Sequence, residues 1–331
     1  MRAVVVEAPR QVVVRDVAAP APEGRVVVAV ERAGLCGTDR SIVEGHIPVS
    51  FPRVIGHEIV GRVVDPGAEA LAAGTRVLVD PSQSCGRCEL CRSSLEHLCR
   101  RGALMGRDVD GGLAELVTAA GSQILPIPDT VGDDDASVLQ VLGTCVHAQK
   151  LVDVFPNDVA VVVGLGVTGL LHLQLMAARG VTVIGVTRSA LRREVARSLG
   201  ATVAAPAEIA GVVAEATGGM GAGVVIEAVG LEATLAQSLE LARPGGTVLA
   251  FGTITSGTGR LPYYDLYYKE LRVLNSRAAR PADYADAIDL VAAGSVRGAP
   301  MITSRLPLGE APAVFARWAS DEAQLKVVLE V

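Results

Sequence analysis

Residues 159–178 read VAVVVGLGVTGLLHLQLMAA. On length alone such a stretch could cross a membrane, since from residue 160 onward only Thr168, His172 and Gln174 interrupt it with polar side chains. The glycines point elsewhere. Gly164, Gly166 and Gly169 form G-x-G-x-x-G directly after a valine-rich run and directly before a helical one, the context in which this spacing binds a dinucleotide. The first glycine permits a tight turn, the second lets backbone approach a pyrophosphate, and the third lets helix pack close to strand. Val167 and Thr168 then open a helix whose N–H groups and positive dipole end meet the phosphates. The bland alternative is a tight strand–helix turn with no ligand.

Outward from this turn the pattern alternates. Strands are predicted at 159–163, 182–186, 202–204, 224–229 and 247–251, and helices at 168–178, 190–199, 207–216 and 233–242. That alternation predicts an α/β unit with a doubly wound parallel sheet. The second strand normally ends in a carboxylate that holds a free ribose. Here it runs into Thr187, Arg188 and Ser189, with Arg192 and Arg193 a turn later. A hydroxyl and guanidiniums suit a 2′-phosphate, so NADP is expected in preference to NAD. Gly230 and the Gly252-Thr253 pair, at later strand ends, are expected beside the cofactor.

The preceding residues have another texture. Short strands are predicted at 3–6, 12–14, 25–30, 59–64 and 76–79, with more strand over 117–127 and helix over 136–150. Near the C-terminus, helical patterns at 282–293 and 308–319 lead to a strand at 326–331, expected to rejoin this β-rich unit. A length of 331 residues accommodates two domains. Half the residues are hydrophobic and 20% charged, which excludes a disordered chain, and 3% aromatic content leaves the core to Ala, Val and Leu. A net charge of −6 argues against a nucleic-acid partner. The first residues lack a basic segment followed by an apolar core, so a cytoplasmic protein without a membrane span is expected.

Four of the 6 cysteines, Cys85, Cys88, Cys91 and Cys99, fall in one short segment. With no export signal in view, that spacing reads as a closed four-thiolate zinc shell, with an iron–sulfur cluster as its competitor. Cys36, in Cys36-Gly37-Thr38-Asp39, and His57, in Gly56-His57-Glu58-Ile59-Val60-Gly61, offer a second, softer metal pair. A catalytic zinc keeps one position open for water or substrate.

In combination and in order, these motifs resemble the zinc-dependent medium-chain dehydrogenase/reductase family of alcohol, polyol and sugar dehydrogenases, across essentially the whole chain. The resemblance implies a GroES-like catalytic domain at 1–151 with a structural zinc lobe near 81–100, a Rossmann NADP-binding domain at 152–277, and a return to the catalytic domain at 278–331. It implies two zinc ions per chain, an alcohol or ketone substrate, and a homo-oligomer, dimer or tetramer. Cys36 and His57 would ligate the catalytic zinc, Asp39 would orient His57, Thr38 would pass the substrate proton outward, and Thr144 would touch the nicotinamide. The third family ligand falls on Gln140, as in some sugar dehydrogenases of the glucose dehydrogenase type; alternatively Glu58 completes the shell. Cys145 is read as packing. Ser41 stands where the family's proton relay often has a histidine, and His46 could substitute for it or be a solvated loop residue. The leading expectation is oxidation of a secondary alcohol in a polyol, sugar or cyclitol with NADP. Runners-up are a simple aliphatic or aryl alcohol dehydrogenase using NAD(P) and a non-catalytic dinucleotide-binding redox sensor.

Overall fold

The computed structural model describes residues 1–254, 261–318 and 324–331. The chain divides into two units, Met1–Gly143 with Arg280–Val331, and Thr144–Ala279. The division between Gly143 and Thr144 falls inside the helix Leu139–Gln149.

The first unit is β-rich. Its main sheet runs in the order Ile124–Pro126, Arg76–Val79, Glu58–Asp65, Val26–Gly34, Lys326–Glu330, Ile302–Pro307, with Leu116–Ala119 also paired to Val26–Gly34. The C-terminal strand thus lies beside Val26–Gly34 in antiparallel register, Val328 opposite Gly34. Val26, Val28, Val30, Ile59, Val77 and Val79 line one buried cluster with Val327 and Leu329. β-Branched side chains are stiff and pack well on a pleated face, which is how a chain poor in aromatics fills this core.

The second unit is a six-stranded parallel sheet ordered Thr202–Ala204, Thr182–Val186, Val159–Val163, Ala222–Glu227, Ala242–Ala250, Arg272–Asn275. Counted along the chain that is 3-2-1-4-5-6, the Rossmann order, in which ligands bind outside the strand C-termini where the order reverses. Val163 pairs with both Val186 and Glu227, so the residues that follow these three strands emerge at one end of the sheet.

The opening stretch resolves into the strand Val159–Val163 and the helix Val167–Ala178. Among the described residues no helix is long and apolar enough to cross a membrane.

Several element boundaries differ from the sequence pattern for local reasons. The strand expected to 229 stops at Glu227, whose carboxylate takes the N–H groups of Val229 and Gly230 at 2.8 and 2.9 Å and turns the backbone. The helix expected over 136–150 is two, Asp133–Ala136 and Leu139–Gln149. At the break, the Ser137 hydroxyl donates to the Asp133 carbonyl at 2.8 Å. The strand expected over 117–127 is interrupted by a 3₁₀ turn at Gly121–Gln123, where the Gln123 amide donates to the Asp80 carbonyl at 2.8 Å. The helix expected to 319 includes Ala311–Arg317, and residue 319 lies outside the described residues. The helices Gly37–Val43 and Tyr263–Tyr268 and the strands Arg272–Asn275 and Ile302–Pro307 carry no clear periodicity in the sequence.

Candidate active site

In the first unit one strand pair builds the site. Val26–Gly34 and Glu58–Asp65 run antiparallel with Gly34 opposite Glu58. Cys36 follows the end of the first strand and His57 precedes the start of the second, so this register delivers both to one place. The preceding glycine is required there: Gly56 has φ +99°, and a Cβ on it would meet Leu113 Cγ at 2.5 Å. One ligand atom each from Cys36, His57 and Glu58 lie within 4.8 Å of one another.

The helix Gly37–Val43 begins after Cys36, and its third residue, Asp39, is fully buried. Asp39 Oδ2 accepts from the Cys36 N–H at 2.9 Å, and Oδ1 stands 3.4 Å from His57 Nδ1. Burial acts to lower the His57 pKa, but the adjoining Asp39 and Cys36 outweigh it and hold the imidazole well above its ordinary value. With Nδ1 facing the carboxylate, Nε2 is the ring atom available to a metal, the usual arrangement in which a carboxylate sets the ligand's tautomer. Thr38 is half-buried beside these groups.

Glu58 brings a residue that sequence reading missed. Its Oε2 is held by Lys326 Nζ, and Lys326, only 3% exposed, also donates to the Leu35 carbonyl at 3.1 Å. Gly34 makes room: a Cβ there would lie 2.3 Å from Glu58 Oε2 and 2.8 Å from Lys326 Nζ. Glu58 Oε1 is buried with no hydrogen-bond partner among the described residues. A soft thiol, an oriented imidazole and an unsatisfied carboxylate oxygen fit a zinc ion.

Gln140 lies in the first turn of Leu139–Gln149, 8% exposed, and its Nε2 donates to Tyr284 Oη at 3.3 Å. Tyr284 is completely buried; burial first, then the charges of Asp80, Asp283 and Glu58, raise its pKa well above the ordinary value despite the hydrogen bond from Gln140. Asp80 is itself pushed up to about 7 by burial. His46 is 70% exposed, with Nδ1 3.3 Å from Glu44 Oε2, a solvated loop position.

The second metal candidate is the cysteine lobe, tied at its base by the ladder of Ser82–Gln83 with Ala103–Leu104. Its sulfur separations include 3.4 Å for Cys88–Cys91, 3.8 Å for Cys88–Cys99 and 3.9 Å for Cys85–Cys91. A tetrahedron with metal–sulfur bonds of ~2.3 Å has edges of about 3.8 Å, so the shell has the right size. The backbone N–H of Arg87 leads in lowering Cys85 to about 6, while burial and the neighbouring sulfurs push Cys91 up to about 11.

In the second unit the three glycines occupy three different environments. Gly164 has φ +94°. A Cβ on Gly166 meets nothing within 4 Å, which leaves open space above the turn. A Cβ on Gly169 would sit 1.8 Å from the Gly164 carbonyl oxygen. Gly166 is the N-cap of Val167–Ala178 with no side-chain cap, so Val167 and Thr168 lie in a first turn whose N–H groups no cap side chain occupies. Gly230 and Gly252 meet at the neighbouring strand ends, where a Cβ on Gly230 would come within 2.8 Å of the Thr253 oxygen.

At the second strand end, Ser189 caps Ala190–Ser198 by accepting from Arg192 N at 3.4 Å, and Arg193 donates to the Thr187 and Arg188 carbonyls at 2.8 and 2.9 Å. Arg193 is thus occupied in shaping the turn, while the Ser189 hydroxyl keeps its own proton to donate. Arg188 is exposed and Arg192 half-buried. Thr144 is half-buried in Leu139–Gln149, and Cys145 is a buried thiol whose pKa burial raises, with Sγ 3.8 Å from the Thr168 carbonyl.

Comparison with known proteins follows the same division. Residues 22–129 match the family profile described as alcohol dehydrogenase GroES-like domain, and residues 167–293 match the one described as zinc-binding dehydrogenase. Sorbitol dehydrogenase of Halalkalibacterium halodurans is 30% identical over 313 residues, 92% of this chain and 91% of that protein. D-Arabitol-phosphate dehydrogenase of Enterococcus avium is 30% identical over 95% of this chain and 92% of that one. Among solved structures, a zinc-binding dehydrogenase target from Sinorhizobium meliloti 1021, bound to NADP, superposes with a TM-score of 0.92 at 35% identity, covering 100% of this chain and 99% of that one.

Proposed function

The chain belongs to the zinc-dependent medium-chain dehydrogenase/reductase family, whose members are oxidoreductases acting on alcohols, and from that premise we propose that it oxidises a secondary alcohol of a polyol, sugar or cyclitol with NADP as hydride acceptor, or reduces the matching ketone. The observation that carries this reading is the convergence of Cys36, His57 and Glu58 on one point through the Gly34–Glu58 register.

A zinc ion bound there supplies Lewis acidity that eases ionisation of an alcohol near neutral pH. The chain's own residues do the rest. Cys36 and His57 hold the ion, with Gln140 or Glu58 completing the shell. Asp39 fixes the His57 ring. Thr38 takes the substrate hydroxyl proton and passes it outward. Gly164, Gly166, Val167, Thr168 and Gly169 seat the pyrophosphate, and Thr144, Gly230, Gly252 and Thr253 bound the nicotinamide. Thr187, Arg188, Ser189 and Arg192 receive the 2′-phosphate, since no carboxylate stands there to repel it. Cys85, Cys88, Cys91 and Cys99 hold a second, structural zinc.

A hydroxylated substrate is supported by the polyol dehydrogenases among the relatives and by the polar, neutral Gln140. The outer strand Arg272–Asn275 supports a homo-oligomer joined along that sheet edge. The test is zinc content together with NADP and NAD reduction across polyols, sugars, cyclitols and simple alcohols. Two zincs per chain and turnover confined to hydroxylated secondary alcohols are expected; turnover only on simple alcohols would give the assignment to an aliphatic or aryl alcohol dehydrogenase.

A further inference from the structure

Tyr284 has no part in the reading so far, yet it is the largest fully buried side chain among the described residues of the first unit, and its hydroxyl takes a hydrogen bond from Gln140. It comes from the helix Pro281–Ala292. Its ring rests on Gly143: a Cβ at that position would lie 2.2 Å from Tyr284 Cδ1 and 2.5 Å from Cε1. Gly143 follows Gln140 by three residues in one helix, so the two share a face. The bare glycine lets the ring lie along that face until Oη meets the Gln140 amide nitrogen at 3.3 Å. A hydrogen bond at Nε2 restricts how the planar amide can turn, and with it where Oε1 points. A flexible glutamine is a weak neutral ligand, and such ligands depend on the groups that orient them. A phenylalanine would fill the same volume without burying a hydroxyl, so the polar end of Tyr284 points to a use.

We propose that Tyr284 is a positioning residue of the metal site, its buried hydroxyl fixing the Gln140 amide so that the carbonyl oxygen serves as the third protein ligand beside Cys36 and His57. This rests on the reading of Gln140 as that ligand. Gly143 belongs to the same device because it admits the ring.

The experiment uses the zinc-loaded full chain and the variants Tyr284→Phe, Gln140→Ala and their double. Three readouts are taken: metal per chain, the rate of zinc loss to a chromogenic chelator, and the visible ligand-field spectrum after cobalt exchange. Tyr284→Phe keeps the ring on Gly143. It is expected to weaken one of the two metals by about tenfold, leave the lobe metal in place and shift the cobalt bands. Gln140→Ala is expected to do at least as much, and the double no more than Gln140→Ala alone. Weakening by Gln140→Ala with wild-type behaviour of Tyr284→Phe would overturn the proposal while leaving Gln140 as ligand. An unchanged cobalt spectrum in Gln140→Ala would remove Gln140 from the shell and the proposal with it. Should Tyr284→Phe not fold, Gly143→Ala displaces the ring with the hydroxyl intact, and wild-type zinc retention there would equally overturn it.

Discussion

At the scale of single residues, the proposed preference for NADP is tested at Thr187. It directly follows the strand Thr182–Val186, 8% exposed, beside an exposed Arg188. Replacing it with aspartate puts a negative charge against a 2′-phosphate and offers a carboxylate to a free ribose. Thr187→Asp is expected to move the NADP-to-NAD ratio of kcat/KM toward NAD by about 10- to 100-fold, the worth of one charge-assisted hydrogen bond; steady-state kinetics with both cofactors checks it. Lys326 gives a second residue-scale expectation. Removing it leaves the Glu58 carboxylate buried without its cation, which destabilises by about 3–5 kcal/mol. Lys326→Met should therefore lower the chemical denaturation midpoint sharply, with Glu58→Gln on the same background restoring part of it. Cys36, Asp39, His57 and Glu58 could be picked out of the sequence because each pair is close along the chain. Lys326 could not, because 268 residues separate it from Glu58 and nothing local marks a lysine as buried. Tyr284 was hidden for the same reason, 144 residues from Gln140.

At the scale of elements, the helix Val167–Ala178 follows the glycine turn and carries a fully buried histidine. His172 packs edge-on against Phe251 at 4.6 Å, with Gln149 Nε2 3.2 Å from Nδ1. Burial lowers its pKa to about 3, whereas the unfolded chain titrates near 6.5. Between those values the unfolded state binds the proton and the folded state does not, so stability is full above pH 6.5 and falls as the pH drops. The slope from this residue approaches ~1.4 kcal/mol per pH unit well inside that window. His172→Leu should flatten the fall in melting temperature between pH 6 and pH 4 relative to the parent, measured by calorimetry at matched ionic strength. The same helix explains Gly169: Gly169→Ala drives a Cβ into the Gly164 carbonyl. It should cost about 1–3 kcal/mol of stability and weaken NADP binding in titration calorimetry. Element type was legible wherever period and glycine punctuation agreed, as at residues 182–186, where strand bounds match. It was not legible where a side chain ends the element, as Glu227 does by capturing two backbone N–H groups, or where an element is too short to show a period, as in Gly37–Val43.

At the scale of the whole molecule, two kinds of order are superimposed. Parallel strands in the 3-2-1-4-5-6 order gather the glycine turn, Thr187, Gly230 and Gly252 at one end of one sheet. Antiparallel pairing in the other unit gathers Cys36, His57 and Glu58, and a C-terminal strand returning across the whole chain supplies the lysine that holds Glu58. The sequence order of motifs was enough to read the two architectures, because each motif sits on local chain. The third ligand stayed open because Gln140 and Glu58 lie on different elements, and their buried partners, Tyr284 and Lys326, separate their situations.

The most direct test of a metal held by Cys36 and His57 is zinc stoichiometry with turnover in Cys36→Ser. Two zincs per chain in the parent falling to one, with the lobe metal retained, the fold intact by circular dichroism and turnover abolished, is the predicted result. Retention of both metals with activity near that of the parent would contradict it.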